Sequence, residues 1–184
     1  MLANKPGRLT QGMHNIIVTN TMFFIPKSQI PPDMHADITY GRIVVGYKPD
    51  KLKHARSRLT VSGDRLTAWI ETAMPTADLP LIKMLLNAVL STPGAKNFTM
   101  DNSNLYLATP IDHPEFMRPP IQVIPQEIIN QYKLNDTTSG GLVYVRIKHG
   151  MYGLPLADRI SNDLFVKRMR SYGYHSSQFT PGIC

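Results

Sequence analysis

Length, composition and charge place the chain among folded, basic proteins. It has 184 residues, of which 42% are hydrophobic, and a formal net charge of +7 at pH 7. That apolar content is sufficient for the core of one domain and argues against a disordered chain. The single cysteine, Cys184, excludes an internal disulfide and a cysteine-based zinc site, which suits a reducing, intracellular compartment.

The positive charge is concentrated in the first third of the sequence. Residues 1–66 contain ten Lys or Arg and four Asp or Glu, so they carry six of the seven net charges. Such a surplus favours a polyanionic partner, either nucleic acid or an anionic membrane. No apolar run approaches the ~18 residues that span a bilayer, so we expect a soluble protein.

The first predicted elements are extended. Thr21–Pro26 is a short apolar run, and Ile30–Asp33 contains two prolines that predict an extended linker. Two β-rich runs, Arg42–Tyr47 and Arg58–Val61, predict a hairpin whose connection, residues 48–57, is basic. Such a connection can bind phosphate oxygens, or it can be a solvated edge whose charges prevent strand-to-strand aggregation.

The clearest predicted helix follows the hairpin. Pro75–Asp78 predicts its start, with Thr76 as the N-cap, and Leu79–Leu90 repeats apolar residues at intervals of three and four. We expect this helix to pack behind a short strand, Phe98–Met100, that leads to Asp101.

Asp101 is the candidate for chemistry. It follows Phe98–Met100 and precedes a second apolar pair, Leu105 and Leu107. An acid at the end of a strand is held still by the core, while the following loop leaves it open to a metal or substrate. The alternative is an aspartate that forms a turn or caps a helix.

The second half of the chain predicts further short elements. Asp112–Pro120 is a polar, proline-rich connection, and Pro125–Tyr132 predicts a short surface helix. Leu142–Ile147 alternates as a strand does, and the turn His149–Pro155 leads into a helix over Leu156–Tyr172. The sequence has no His-x-x-x-His pair, no Gly-x-Ser-x-Gly motif and no Walker A loop, so nothing supports a zinc enzyme, a serine hydrolase or a P-loop NTPase.

Three motifs, taken in order, carry a resemblance to a known family. They are Arg56-Ser57-Arg58-Leu59-Thr60-Val61, the spacing from Asp101 to Tyr106, and Met151-Tyr152-Gly153-Leu154-Pro155 before a helix. This ordered set resembles reverse transcriptases. The copia-type retrotransposon branch is the most similar, on Thr39-Tyr40-Gly41-Arg42-Ile43-Val44, Pro75-Thr76-Ala77-Asp78-Leu79, Ser91-Thr92-Pro93-Gly94-Ala95-Lys96 and Gly173-Tyr174-His175. The resemblance extends roughly from Phe24 to Gly182.

The resemblance implies a role for each matching residue. Asp101 corresponds to the first palm acid, which with two further acids holds two magnesium ions, and the carbonyl of Asn102 corresponds to an additional metal contact. Tyr106 corresponds to the aromatic gate that selects deoxynucleotides by excluding a ribose 2′-hydroxyl. Arg56 and Arg58 correspond to the fingers residues that bind the incoming triphosphate.

The resemblance also assigns the loop before the last helix to nucleotide binding. Tyr152–Pro155 corresponds to a loop that packs under the template and the nucleotide base, so Pro155 is a candidate nucleotide contact. Leu156 stands where the branch has a glutamine that hydrogen-bonds near the nucleotide, and an aliphatic residue removes that polar contact. The partners implied are an RNA or DNA template-primer and deoxynucleotides, in the cytoplasm, the nucleus or virus-like particles.

The paired-Asp motif of these polymerases is absent, since no Asp-Asp occurs in the sequence. One acid cannot hold two magnesium ions against their mutual repulsion. We therefore expect an α+β fold that is a partial right-hand polymerase: an N-terminal extension over residues 1–23, then fingers and the first half of the palm over 24–184. In this expectation a small antiparallel sheet is backed by the Leu79 and Leu156 helices, and the rest of a polyprotein lies downstream.

We expect the chain alone to be an inactive fragment of an RNA-directed DNA polymerase. Two alternatives stay open: a non-catalytic nucleic-acid-binding remnant of a retrotransposon, and the translated product of a decayed gene that does not fold stably.

Overall fold

The computed structural model describes residues 13, 16–17, 19–47, 49, 55–66, 71–73, 76–97, 99, 102–180 and 182, with residues 55–57 and 65 described by their backbone alone. Its strands are Met22–Ile25 (β1), Gly41–Tyr47 (β2), Ala55–Val61 (β3), Pro110–Met117 (β4) and Tyr144–His149 (β5). Its α-helices include Leu79–Ser91 (α1), Gln126–Tyr132 (α2), Leu134–Thr137 (α3) and Ala157–Arg170 (α4). The predicted α+β class with a small antiparallel sheet is confirmed.

Two antiparallel sheets organise the strands. The central sheet has the order β1-β5-β4, and β5 lies in its middle. In it, Ile147 of β5 lies opposite Met22 on one side and opposite Glu115 on the other. Strands β2 and β3 form a separate hairpin, which confirms the predicted one. Strand β3 begins at Ala55, so Arg58 lies within the strand, opposite Val44.

Alternation along β5 places its side chains in two clusters. Val145 and Ile147 are fully buried on one face, because successive side chains of a strand point to opposite faces. The main core around them is formed by Met13, Ile16, Met22, Leu59, Val61, Leu107, Met117, Ile124, Ile128, Ile129, Leu134, Val143, Met151, Leu154 and Ala157. Tyr144 belongs to the other face and packs in a smaller cluster with Ile30, Ile38 and Phe116. The described residues Met13 and Ile16 of the predicted N-terminal extension are thus part of the main core.

The hairpin is attached to the central sheet through Thr39. The Thr39 amide donates to the carbonyl of Phe116 at 3.1 Å, and the Arg118 amide donates to the carbonyl of Thr39 at 2.8 Å. The buried Thr39 hydroxyl also donates to the carbonyl of Ser62, which follows β3 at the same open end of the hairpin. One residue therefore joins the open end of the hairpin to β4.

Helix α1 forms where it was predicted but does not pack as predicted. None of its residues is buried, and Leu79 and Leu90 are 62% and 86% exposed. This exposure argues against the expectation that α1 backs the sheet, and the strand before Asp101, against which α1 was also expected to pack, lies outside the described residues. Apolar spacing reports that a helix has an apolar face, but it does not report what covers that face.

The N-cap of α1 also differs from the prediction. It is Asp78, not Thr76, and no side chain caps the helix by a hydrogen bond. Pro80 lies in the first turn, where a residue without an N–H group is tolerated, and the helix starts at Leu79 as predicted although its cap differs.

Strand β4 replaces the predicted connection over Asp112–Pro120. Its prolines are Pro110, the first residue of the strand, and Pro114, within a register irregularity between Pro110 and Glu115. Because β4 is an edge strand, a missing N–H group on its open side breaks no ladder hydrogen bond. The prolines therefore mark an edge strand rather than a loop.

The apolar pair Leu105 and Leu107 lies in consecutive turns rather than in a strand. Asn104 has a φ of 56°, and its carbonyl accepts from the amide of Ala108 at 3.1 Å. The preceding Asn-Ser-Asn sequence favours such local hydrogen bonds over a strand. Phe98, Met100 and Asp101 lie outside the described residues.

The remaining helices agree better with the prediction. The predicted surface helix is α2, although its residues Ile128 and Ile129 are buried, and the predicted last helix is α4, which places Ala157 in the main core. The linker over Ile30–Asp33 contains the start of a 3-10 turn, Pro32–Met34, and its Ile30 is buried. Among the described helices, none is long and apolar enough to cross a membrane.

We expect Ile147→Ala to lower the free energy of unfolding by about 2–5 kcal/mol, because it leaves a cavity at a fully buried position of the central strand. Leu90→Ala is the control, since that side chain is 86% exposed and its loss should change stability by less than about 0.5 kcal/mol. Urea unfolding monitored by circular dichroism measures both. Equal losses in the two variants would contradict the assignment of the core.

Candidate functional site

Three segments that are distant in sequence meet at the loop between β5 and α4, residues 150–156. The first contact joins this loop to the end of β3. The Val61 amide donates to the carbonyl of Tyr152 at 2.8 Å. Gly153 has a φ of 91°, and a Cβ atom there would lie 2.0 Å from the carbonyl oxygen of Val61. Only glycine permits this approach of the two backbones.

Gly63 and Gly150 allow the remaining contacts. A Cβ atom on Gly63 would lie 2.4 Å from the carbonyl oxygen of Gly153, and one on Gly150 would lie 2.8 Å from that of Tyr106. The Gly150 amide also donates to the carbonyl of Thr109 at 2.8 Å. The turn that carries Tyr106 is therefore packed against the same loop as the hairpin.

The side chains of these segments form a stack. The guanidinium carbon of Arg58 lies 4.4 Å from the ring centroid of Tyr152. The Tyr152 ring in turn meets that of Tyr106 edge to face, with centroids 5.3 Å apart and planes at 87°. Cation–π and edge-to-face contacts are both favourable, so the stack holds Arg58 and the two rings in fixed relation.

Tyr106 interacts with an acid from helix α4. A hydrogen bond with the Asp158 carboxylate, together with burial and the charge of that carboxylate, raises the pKa of Tyr106 to about 12. The neutral phenol is therefore the stable form at physiological pH.

Arg58 has unused hydrogen-bonding capacity. Within the described part of the chain, its Nε atom is buried and has no hydrogen-bond partner. A guanidinium carries five N–H donors, and an anion that accepts from it forms charge-assisted hydrogen bonds. The site therefore places the positive charge of Arg58 on the ring of Tyr152, with the ring of Tyr106 beside it.

The other candidate residues are placed as follows. Asp101 lies outside the described residues, and Arg56 is described only by its backbone, opposite Gly46 in the hairpin. Asn102 is exposed, and Pro155 is half-buried. Leu156 is 8% exposed, so most of its side chain is packed in the interior rather than open to a ligand.

In the described part of the chain, no group of three or more His, Cys, Asp or Glu side chains is arranged to hold a metal ion. Asp101, the candidate ligand, lies outside that part of the chain.

Sequence reasoning missed Asp158. It stands in the first turn of α4, where an acid is ordinarily explained by the helix dipole, so nothing in the sequence pointed to Tyr106. Gly63 was missed for a similar reason, because a glycine between a strand and a turn is common. Only the tertiary contact with Gly153 reveals why a side chain cannot be accommodated there.

We expect Gly153→Ala to be more destabilising than Gly94→Ala. Both positions have positive φ, 91° and 77°, but a Cβ atom at Gly94 has no neighbour within 4 Å, whereas one at Gly153 collides with Val61. The control variant should lose about 1 kcal/mol from the backbone conformation alone. Gly153→Ala should lose more in urea unfolding, and equal losses would contradict the close packing of the loop on β3.

We expect spectrophotometric titration to detect one tyrosine that ionises near pH 12, two units above its ordinary value. Asp158→Asn should lower the pKa of Tyr106 toward 10, because it removes both the carboxylate charge and a strong acceptor. Because the folded form binds this proton more tightly, its contribution to stability is complete below pH 10 and is lost as pH rises to about 12. An unchanged titration curve in Asp158→Asn would contradict the interaction.

No protein-family model matches the chain, and neither a curated protein nor a solved structure matches it.

Proposed function

We propose that the chain is the fingers and the first half of the palm of a copia-type reverse transcriptase, and that it binds nucleic acid and deoxynucleotides without joining them when it is alone. The single observation that carries the proposal is the stack of Arg58, Tyr152 and Tyr106. These residues come from the three motifs on which the resemblance to reverse transcriptases depends. One residue from each motif meets in this stack, which supports the proposal that they serve one nucleotide site.

The chemistry of the stack suits a nucleoside triphosphate. Arg58 presents a permanent positive charge, which binding of a triphosphate requires, although its Nε atom is buried and is not itself open to a ligand. The Tyr152 ring fixes the guanidinium, so less conformational entropy is lost when the anion binds. Tyr106, locked by its neighbours, supplies a wall that a ribose 2′-hydroxyl would strike.

The sequence supplies only part of a two-magnesium site. Asp101 and the carbonyl of Asn102 are the ligands that the resemblance assigns to magnesium, which would supply charge neutralisation at the phosphates when bound. The described residues contribute no acid cluster, and the sequence has no Asp-Asp pair. We therefore propose that nucleotidyl transfer requires acids supplied by a further polypeptide segment.

A second function, nucleic-acid binding without catalysis, is favoured by one observation. The chain has a net charge of +7 but a single candidate palm acid. Positive charge favours binding of the nucleic-acid phosphates, and this binding does not require a complete metal site. The two functions differ in whether a deoxynucleotide is bound at Arg58.

Primer extension with magnesium and deoxynucleotides should give no incorporation, while filter binding of a primer-template should weaken steeply with salt. Equilibrium binding of a deoxynucleoside triphosphate then separates the two functions. Arg58→Gln should weaken that binding by about tenfold or more, since it removes a charge-assisted contact of about 1.5–3 kcal/mol. Lys83→Gln, an exposed charge on α1, is the control and should leave it unchanged.

Two results would contradict the proposal. Incorporation by the chain alone would show that the metal site is complete. The parent chain and Arg58→Gln, both shown to be folded by circular dichroism, could also bind the triphosphate equally well. That result would mean that the nucleotide does not bind at Arg58, and only the non-catalytic function would remain.

A further inference from the structure

A groove of about 460 Å³ lies on the central sheet, away from the stack of Arg58, Tyr152 and Tyr106. Its lining includes Phe23, Asp112, Pro114, Arg146, Lys148 and His149. The polymerase resemblance assigns no role to any of these residues.

The groove exists because only half of one sheet face is covered. On that face, Tyr144 packs with Phe116 beneath Ile30 and Ile38. Farther along the same face of β5, Arg146 and Lys148 are exposed. The covering segment therefore ends where the basic side chains begin, and the groove is the uncovered half of the face.

Two cations lie in line along the floor of the groove. Arg146 and Lys148 are two residues apart on one strand, so they share a face and their Cα atoms are about 7 Å apart. Asp112 also lines the groove, so its carboxylate lowers the net positive charge there. Cations spaced along a strand match the spaced charges of an extended polyanion better than they match a compact anion.

An aromatic ring lies beside the cations. Phe23 of β1 pairs directly with Arg146 and is 37% exposed. The Lys148 ammonium lies 5.0 Å from the centroid of that ring. A flat group that stacks on the Phe23 ring would displace the Lys148 ammonium from it. The ammonium could then pair with an anionic group of the same ligand, so stacking and ion pairing would occur together.

From the juxtaposition of Phe23, Arg146 and Lys148 in this groove, we infer a binding site for single-stranded nucleic acid. Its backbone runs along β5 against Arg146 and Lys148, and one unpaired base stacks on Phe23. Single-strand sites combine a basic groove that follows the phosphates with aromatic rings that accept bases of any sequence. The inference shares with the proposed function only the class of partner, since it uses no residue of the nucleotide site.

A duplex fits the same surface less well. Its bases are paired and stacked on each other, so none is available for Phe23, and the groove would contribute only its two cations. The site should therefore prefer a single strand to a duplex of equal length, with little dependence on base sequence.

The test is binding of a fluorescent oligothymidylate to the full chain across a series of salt concentrations. In Arg146→Gln/Lys148→Gln, the slope of log affinity against log salt should fall in magnitude by about 1.4, because each phosphate contact with a single strand contributes about 0.7. Phe23→Leu should lower affinity by about fivefold or more with the slope unchanged, since stacking of a base contributes about 1–3 kcal/mol. Asp112→Asn should raise affinity by about twofold to fivefold.

The matched control is Lys167→Gln/Arg168→Gln, which removes the same charges from the exposed last turn of α4 and should keep the parent slope. Circular dichroism and urea unfolding confirm that each variant is folded. An equal loss of slope in control and groove variants, no binding by the parent chain, or full competition by an equal-length duplex would each overturn the inference. Triphosphate binding should stay unchanged in the groove variants, so failure here is distinguishable from failure of the nucleotide site.

Discussion

The hydrogen bond from the Val61 amide to the Tyr152 carbonyl is the contact on which the arrangement of the site depends. The β2–β3 hairpin and the β5–α4 loop belong to different parts of the chain, and at this point their backbones touch. The contact requires glycine at positions 63 and 153, because any side chain would separate the two segments. With the segments held together, Arg58 reaches Tyr152, and Gly150 brings the turn with Tyr106 to the same loop.

Sequence patterns predicted most elements but not what covers them. The alternation in Leu142–Ile147 and the apolar repeat of the last helix were reliable, because burial on one face imposes those periods directly. The prolines of β4 misled the prediction, since the same residues mark a loop or an edge strand. Helix α1 was correctly located, but its apolar face is exposed, and intervals of three and four residues carry no information about a partner surface.

The candidate site was predictable in its parts rather than in its contacts. Arg58, Tyr106 and the loop before α4 were selected from motifs, whereas the Tyr106–Asp158 interaction joins residues 52 positions apart that no short pattern connects. The groove could not be predicted from the sequence for a related reason. A strand that alternates apolar and basic residues predicts an exposed face, but whether that face carries an aromatic neighbour depends on the pairing of β5 with β1.

The exposed face of α1 has a consequence for the behaviour of the isolated chain. Leu79, Met84 and Leu90 are all more than 60% exposed, and such a surface promotes self-association of molecules that meet. Repulsion between molecules of net charge +7 opposes those encounters, and dissolved salt screens that repulsion within about 10 Å at 0.1 M. Colloidal stability should therefore decline as ionic strength rises, which is opposite to the trend for proteins that aggregate through attraction between unlike charges.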